Sequence, residues 1–228
     1  PTHAWSRLMP MSQPTIVGIS GCTRSGKSSL ASRLATALGS RTKVLSGDSF
    51  SKARLAAKCV HGWEASESID HGAMREAVAR LTQDASLEYL LIEGFRAFHD
   101  PALVERMDLL VWLALDRETC HRRRMATKPV SETTFTDHLW PTHLEYERTL
   151  FEVGGPMDRL RARAVVLDGT ESPKDLVQAT LAAIRALPPA APAAPVVDAG
   201  PKTGRRASVA PVDVPELQQM QEQVKAGL

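Results

Sequence analysis

The chain has 228 residues, enough for one α/β domain with a buried core and some tail to spare. Apolar residues make up 43% and charged residues 24%, and the net charge of +2 is too near neutral for general binding to nucleic acid or an anionic membrane. Apolar runs are too short to span a bilayer, and residues 1–14, although they hold Trp5, Leu8 and Met9, lack the continuous apolar stretch of a secretory signal.

The first element is a short β-branched run at residues 15–20 (TIVGIS), which stops at Gly21 and reads as a buried strand. A helix follows over 28–38, with Leu30, Leu34, Ala35 and Leu38 at helical spacing and Gly39 as its stop. Residues 42–46 (TKVLS) predict a second strand, and 66–81 a helix with Ile69, Met74, Ala77, Val78 and Leu81 on one face. Residues 88–92 (EYLLI) form a third strand and 109–115 (LLVWLAL) a fourth, nearly all apolar, as expected of a strand covered on both faces. A basic helix over 117–126, a helix over 137–152, a fifth strand at 164–167 and a helix over 173–187, opened by Ser172-Pro173, complete the order.

Strands alternating with helices imply a doubly wound, five-stranded parallel sheet with helices on both faces. From Pro188 the composition turns to Pro and Ala, which cannot bury enough surface to offset the entropy of ordering. The expected organisation is an extension at 1–14, one domain at 15–187, and a disordered tail at 188–228 in which 215–225 could form a short helix. Cys22, Cys59 and Cys120 show no metal-ligand spacing, so they read as thiols in a reducing compartment, the cytosol or nucleus.

Gly21-Cys22-Thr23-Arg24-Ser25-Gly26-Lys27-Ser28 fits G-x-x-x-x-G-K-[ST] at every fixed position and lies between a strand and a helix. Such a loop turns successive N–H groups inward as an anion nest, and the helix behind it adds its positive end. Lys27 reaches the β- and γ-phosphates of a nucleotide, and the Ser28 hydroxyl takes a Mg²⁺ position. The fold is thus an α/β P-loop NTPase, with ATP and Mg²⁺ as expected ligands.

Three carboxylates fall near strand ends, where ligands bind in a doubly wound sheet. Asp48 follows TKVLS, where it either accepts a proton from an attacking hydroxyl or simply forms a Ser-Gly-Asp-Ser turn. Glu93 ends EYLLI, the position of an acid that holds Mg²⁺ directly or through water, or of a solvated loop acid. Glu64 follows Trp63: a carboxylate can take two neighbouring sugar hydroxyls and an indole can stack on a flat, preferably cationic, heterocycle, although a surface Trp is the plainer reading. Arg122, Arg123 and Arg124, with Arg117 and Lys128 nearby, read as a short lid whose guanidiniums screen the transferring phosphoryl group.

Taken together, VGISGCTRSGKSSLA, VLSGDSF, WEASESID, LLIEGF, CHRRR, HLWP and VVLDGT resemble, in order and spacing, the nicotinamide riboside kinase family, within the wider uridine kinase and phosphoribulokinase group. The resemblance covers residues 15–187. It implies ATP-dependent phosphorylation of the ribose 5′-hydroxyl of nicotinamide riboside to nicotinamide mononucleotide, a step of NAD salvage, with a uridine- or cytidine-type or other riboside kinase, or a non-catalytic nucleotide-binding protein, as alternatives. It also implies the roles of residues. Asp48 is the catalytic base. Gly21, Thr23, Ser25, Gly26, Lys27, Ser28, Ser29, Arg123 and Asp168 bind ATP. Ser28 and Glu93 serve Mg²⁺, while Trp63, Glu64 and Arg124 join Asp48 on the substrate. The expected partners are ATP and a small riboside, without nucleic acid or membrane, in a monomer or weak homodimer. Two positions depart from the pattern. The ribose acid is Glu64 where the family has Asp, and Lys128-Pro129-Val130 replaces the stretch that carries a Tyr against the nicotinamide ring, with no aromatic before Phe135. In the tail, Arg205-Arg206-Ala207-Ser208 resembles a basophilic protein-kinase site.

Overall fold

The computed structural model describes residues 13–56 and 66–188. Trp63 and Glu64, Cys59, the 1–12 segment and the tail with Ser208 therefore lie outside the described residues.

Strand β1 (Thr15–Gly21) leads through the glycine-rich loop into helix α1 (Lys27–Leu38). Strand β2 (Thr42–Ser46) ends in a 3-10 turn at Gly47–Phe50, followed by the short helix α2 (Ala53–Ala56). A 3-10 turn at Ser66–Ser68 precedes α3 (His71–Leu81), then β3 (Tyr89–Glu93) and α4 (Pro101–Val104). Next come β4 (Leu109–Ala114), α5 (Arg117–Thr127), a π turn at Thr134–Leu139 and α6 (Trp140–Phe151). The order closes with α7 (Pro156–Arg159), a 3-10 turn at Arg161–Arg163, β5 (Ala164–Asp168) and α8 (Pro173–Arg185).

The five strands form one parallel sheet in the order β2-β3-β1-β4-β5. With β1 central and the chain leaving it toward both edges, the carboxyl ends of β1 and β3 face the switch point where such sheets bind ligands. β1, β3 and β4 are buried almost throughout, whereas β2 and β5 at the edges leave Val44 and Val166 exposed. That difference is why the central strands read as unbroken apolar runs.

Alternation along β4 serves two cores. Leu110 and Trp112 face a layer with Met74 and Val78 of α3, Phe98, Leu103 and Val104 around α4, and Tyr146 and Leu150 of α6. Val111 and Leu113 face the opposite layer, with Leu30, Ala31 and Leu34 of α1 and Leu176, Leu181 and Ile184 of α8. Each such side chain withdrawn from water contributes about 1.5–3 kcal/mol. A third, smaller cluster joins Cys22, Leu115, Cys120, Phe135 and Leu139, so α5 and the π turn pack beside the loop after β1.

Local caps explain most boundaries. The Asp70 side chain accepts from the Ala73 amide and starts α3 five residues later than the apolar spacing predicts, the preceding residues forming the 3-10 turn instead. Asp116 caps α5 through the Thr119 amide, and Ser172 caps α8 through Asp175, with Pro173 at its first position. The helix predicted from 137 begins as a π turn because Pro141 has no N–H for the carbonyl one turn back. The Thr142 hydroxyl donates to the His138 carbonyl there. Among the described residues no helix is long and apolar enough to cross a membrane.

Candidate active site

The loop after β1 is shaped by three left-handed residues, Gly21, Arg24 and Gly26, at φ 146°, 61° and 103°. Gly21 is required by space as well as by φ, since a Cβ there would lie 2.4 Å from the Leu113 carbonyl oxygen of β4. Inside the loop the Ser25 amide donates to the Cys22 carbonyl at 3.3 Å. Lys27 Nζ donates to the same carbonyl at 2.7 Å, so the lysine lies across its own loop. It is only 9% exposed. Burial pulls its pKa below the ordinary lysine value, while the charges of Glu93 and Asp48 push it back up. Ser25 is buried and its hydroxyl finds no hydrogen-bond partner among the described residues. Thr23 is half-buried, and Ser28 and Ser29 are exposed on the first turn of α1.

Two strand tips meet beside this loop. Ser46 of β2 is in register with Glu93 of β3, and the glycines that follow, Gly47 and Gly94, pack backbone to backbone. A Cβ on Gly94 would come within 3.3 Å of the Gly47 Cα, and one on Gly47 within 3.3 Å of the Glu93 carbonyl oxygen, so glycine at both places lets the two turns lie this close without a shift of a few tenths of an ångström. Glu93 is 4% exposed, and its Oε2 accepts from the Ser28 hydroxyl at 3.0 Å. Asp48 stands exposed on the first turn of the 3-10 segment, near enough for its charge to act on Lys27. Lys27, Ser28, Asp48 and Glu93 thus converge at the carboxyl edge of β1, β2 and β3. A groove of about 610 Å³ between α1 and β2 meets this cluster through Ser28 and Glu93 and then runs outward past Ala35, Thr36 and Val44.

The basic helix is α5, and it touches the loop directly. Arg124 Nη1 donates to Thr23 Oγ1 at 3.4 Å, and Arg123 Nη1 to the carbonyls of Arg24 at 3.4 Å and Gly169 at 2.9 Å. Arg122 turns back to Thr119 of its own helix, at 3.2 Å, and Arg117 lies over the Phe135 ring. Arg123 therefore ties the turn after β5 to the loop after β1. Asp168 in that turn is exposed and accepts from the Thr170 amide and hydroxyl at 2.8 and 2.7 Å, which hold its pKa below the usual carboxylate range.

Sequence reasoning missed a second ring of side chains. Arg96, three residues past Glu93, is buried, with its guanidinium 5.0 Å from the Phe95 ring and 4.5 Å from the Tyr146 ring. The Tyr146 hydroxyl accepts from the Phe98 amide at 2.9 Å, and burial raises its pKa. His143, one turn earlier on α6, stacks on Trp112 at 5.7 Å and 8°, and burial, then Lys27 and Arg96, hold its pKa at about 4. Its Nδ1 finds no hydrogen-bond partner among the described residues. The sequence signals near these residues are LLIEGF, which ends beside Arg96, and HLWP, which marks where α6 begins rather than what α6 presents.

A family model described as an AAA domain matches residues 17–134, just over half of the chain. Nicotinamide riboside kinase 2 of Mus musculus is 27% identical over 188 residues, 73% of this chain and 93% of that protein. Nicotinamide riboside kinase 1 of Homo sapiens is 29% identical over 181 residues, 71% of this chain and 87% of that protein. Among solved structures, a gluconokinase from Sinorhizobium meliloti 1021 superposes with a TM-score of 0.54 at 19% identity, over 76% of this chain and 93% of that one, a likeness of fold alone. The chain belongs to the AAA domain family and carries the P-loop kinase fold.

Proposed function

We propose that this chain transfers the γ-phosphoryl group of ATP to the 5′-hydroxyl of nicotinamide riboside, giving nicotinamide mononucleotide for NAD salvage. One observation carries the reading: Lys27, the Ser28–Glu93 hydrogen bond and Asp48 are gathered at adjacent strand tips by the Gly47–Gly94 contact. The names of the curated relatives support the acceptor. The 5′-oxygen attacks the γ-phosphorus in line as the bond to the β-bridging oxygen breaks, and Asp48 takes the hydroxyl proton. Lys27 and the amides of residues 21–28 hold the β- and γ-phosphates, and catalysis is mainly positioning and charge neutralisation. Arg123 and the turn at Asp168 border the nucleotide, Arg124 reaches the transferred group and the acceptor, and Trp63 and Glu64 take the nicotinamide ring and the ribose hydroxyls.

The donor set at Ser28 and Glu93 fits Mg²⁺. One hydroxyl and one buried carboxylate, supplemented by substrate phosphates, are what this ion takes in phosphoryl-transfer sites in preference to an all-protein cage. Bound there, the ion would neutralise charge between the β- and γ-phosphates.

A second reading keeps the chemistry and changes the acceptor to uridine, cytidine or another riboside. It is favoured by Phe135, the first aromatic after the Arg run, which is fully buried between His121 and Trp140 and so faces no ligand. Measurement of kcat/KM for nicotinamide riboside, uridine and cytidine with ATP and Mg²⁺ separates the two. A clear preference for nicotinamide riboside is expected, and a large preference for uridine would overturn the first reading.

A further inference from the structure

Two cysteines from distant parts of the sequence meet where the lid helix touches the phosphate loop. Cys22 is the second residue of the loop, and Cys120 lies on α5 one turn before Arg124. The Cys120 thiol donates to the carbonyl of Thr23, the neighbour of Cys22, at 3.3 Å. Both side chains are fully buried in the cluster with Leu115, Phe135 and Leu139, and neither forms a disulfide. The two thiols play no part in the phosphoryl transfer described above, and a covalent link between them would hold Arg123 and Arg124 against the loop.

We propose that Cys22 and Cys120 form a thiol-oxidation site, at which a low-molecular-weight disulfide converts the pair into an intramolecular disulfide that fastens α5 to the phosphate loop. One cysteine thiolate attacks a sulfur of the reagent, displacing one small thiol and leaving a mixed disulfide. The second cysteine thiolate then attacks the protein-bound sulfur and displaces the other small thiol. Two cysteine S–H bonds are lost and one S–S bond is formed. The reagent's S–S bond is reduced, and its two product thiols carry away the two protons and two electrons.

The arrangement also sets when this happens. Packed against Cys120, the Cys22 thiol resists ionisation: the hydrogen bond with Cys120, and then burial, raise its pKa, with the charge of Lys27 pulling the other way. Attack therefore requires α5 to lift from the loop. A nucleotide in the loop gives Arg123 and Arg124 an anion to hold and keeps α5 down. Oxidation is thus a reaction of the nucleotide-free protein, and its product can no longer exchange nucleotide.

The test uses the full chain and glutathione disulfide as the probe, followed by alkylation of remaining thiols and peptide mapping without reduction. The expected map shows the peptides of Cys22 and Cys120 joined, with the joined mass two hydrogens below the sum of the thiol forms. Binding of a fluorescent ATP analogue is lost on oxidation and returns with dithiothreitol. Prior addition of ATP and Mg²⁺ slows the cross-link. Cys120→Ser binds the analogue as the parent does and keeps binding it in oxidant, and Cys120→Ala serves if the serine variant folds poorly. A map in which Cys22 and Cys120 stay alkylatable, or carry only separate glutathione adducts, overturns the proposal. So does equal loss of binding in Cys120→Ser. The inference rests on the proposed function only through nucleotide binding, so failure to phosphorylate any riboside leaves the peptide map and the binding assay to decide it.

Discussion

Asp48 gains its position from a backbone contact two residues wide, because the Gly47–Gly94 packing fixes the turn that bears it against the end of β3. Removing the carboxylate leaves the loop around Lys27 and the Ser28–Glu93 pair untouched. Asp48→Ala is therefore expected to lower kcat by roughly 10²–10⁴-fold, the usual worth of a positioned base, with ATP binding retained. Stopped turnover with unchanged ATP titration supports the role, and near-normal kcat removes it. Asp48, Glu93, Lys27 and Ser28 were legible from sequence because a fixed loop spacing or a strand end announces each of them. Arg96, His143 and Tyr146 were not. Their surroundings are set by pairs such as Tyr146 with Phe98 and His143 with Trp112, which only the packing of α6 onto the sheet creates.

Between elements, the turn after β5 and the loop after β1 meet at Gly169. A Cβ there would lie 2.8 Å from the Ala114 carbonyl oxygen and 3.1 Å from that of Ser25, both backbone atoms that cannot swing aside. Gly169→Ala must push the turn outward and weaken the Arg123 hydrogen bond to its carbonyl. A rise of about tenfold in KM for ATP, equivalent to about 1.4 kcal/mol, is expected with kcat little changed, and steady-state kinetics with varied ATP check it. Helix α6 carries a pH-dependent contribution to stability through His143. Its folded pKa of about 4 lies below the ordinary histidine value of 6.5, so the unfolded chain binds the proton more readily. The stabilisation is fully present above pH 6.5 and is lost as pH falls toward 4, to a limit of roughly 3 kcal/mol. His143→Phe keeps a ring against Trp112 and abolishes the titration. Urea unfolding at pH 7.5 and pH 5 should show a smaller pH difference in the variant than in the parent, and an equal difference refutes the assignment. The start of α6 itself was misread by a few residues: periodicity is silent about a π turn, and the cue is a missing N–H at Pro141.

For the molecule as a whole, the strand count, the burial of the first and fourth strands and the helices on both faces were legible because each strand in the middle of a parallel sheet must be apolar on both faces. The short helix Pro101–Val104 was not, since four residues hold too little periodicity to register, whereas the turn at Gly47–Phe50 was one of the two readings of Ser-Gly-Asp-Ser. Gly18, at the centre of β1, shows how tightly the layers close. It reads as a minor interruption in TIVGIS, yet a Cβ there would fall 2.4 Å from Met107 Sδ and 2.6 Å from Phe98 Cε1. Both side chains are fully buried in the layer that also holds Trp112 and Tyr146, so neither can withdraw without disturbing that layer. Gly18→Ala adds a methyl group to a full core and should destabilise the fold by about 1–3 kcal/mol. In a domain of this size each kcal/mol corresponds to about 2–4 °C in Tm. Nothing in the substitution touches Lys27, Asp48 or Glu93, so kcat per folded molecule should hold at temperatures well below the transition. Calorimetry paired with active-site titration separates the two effects: a lowered Tm with normal turnover is expected. An unchanged Tm would mean that the layer beneath β1 is looser than its contacts imply, and that the strand tips at the site rest on a softer support.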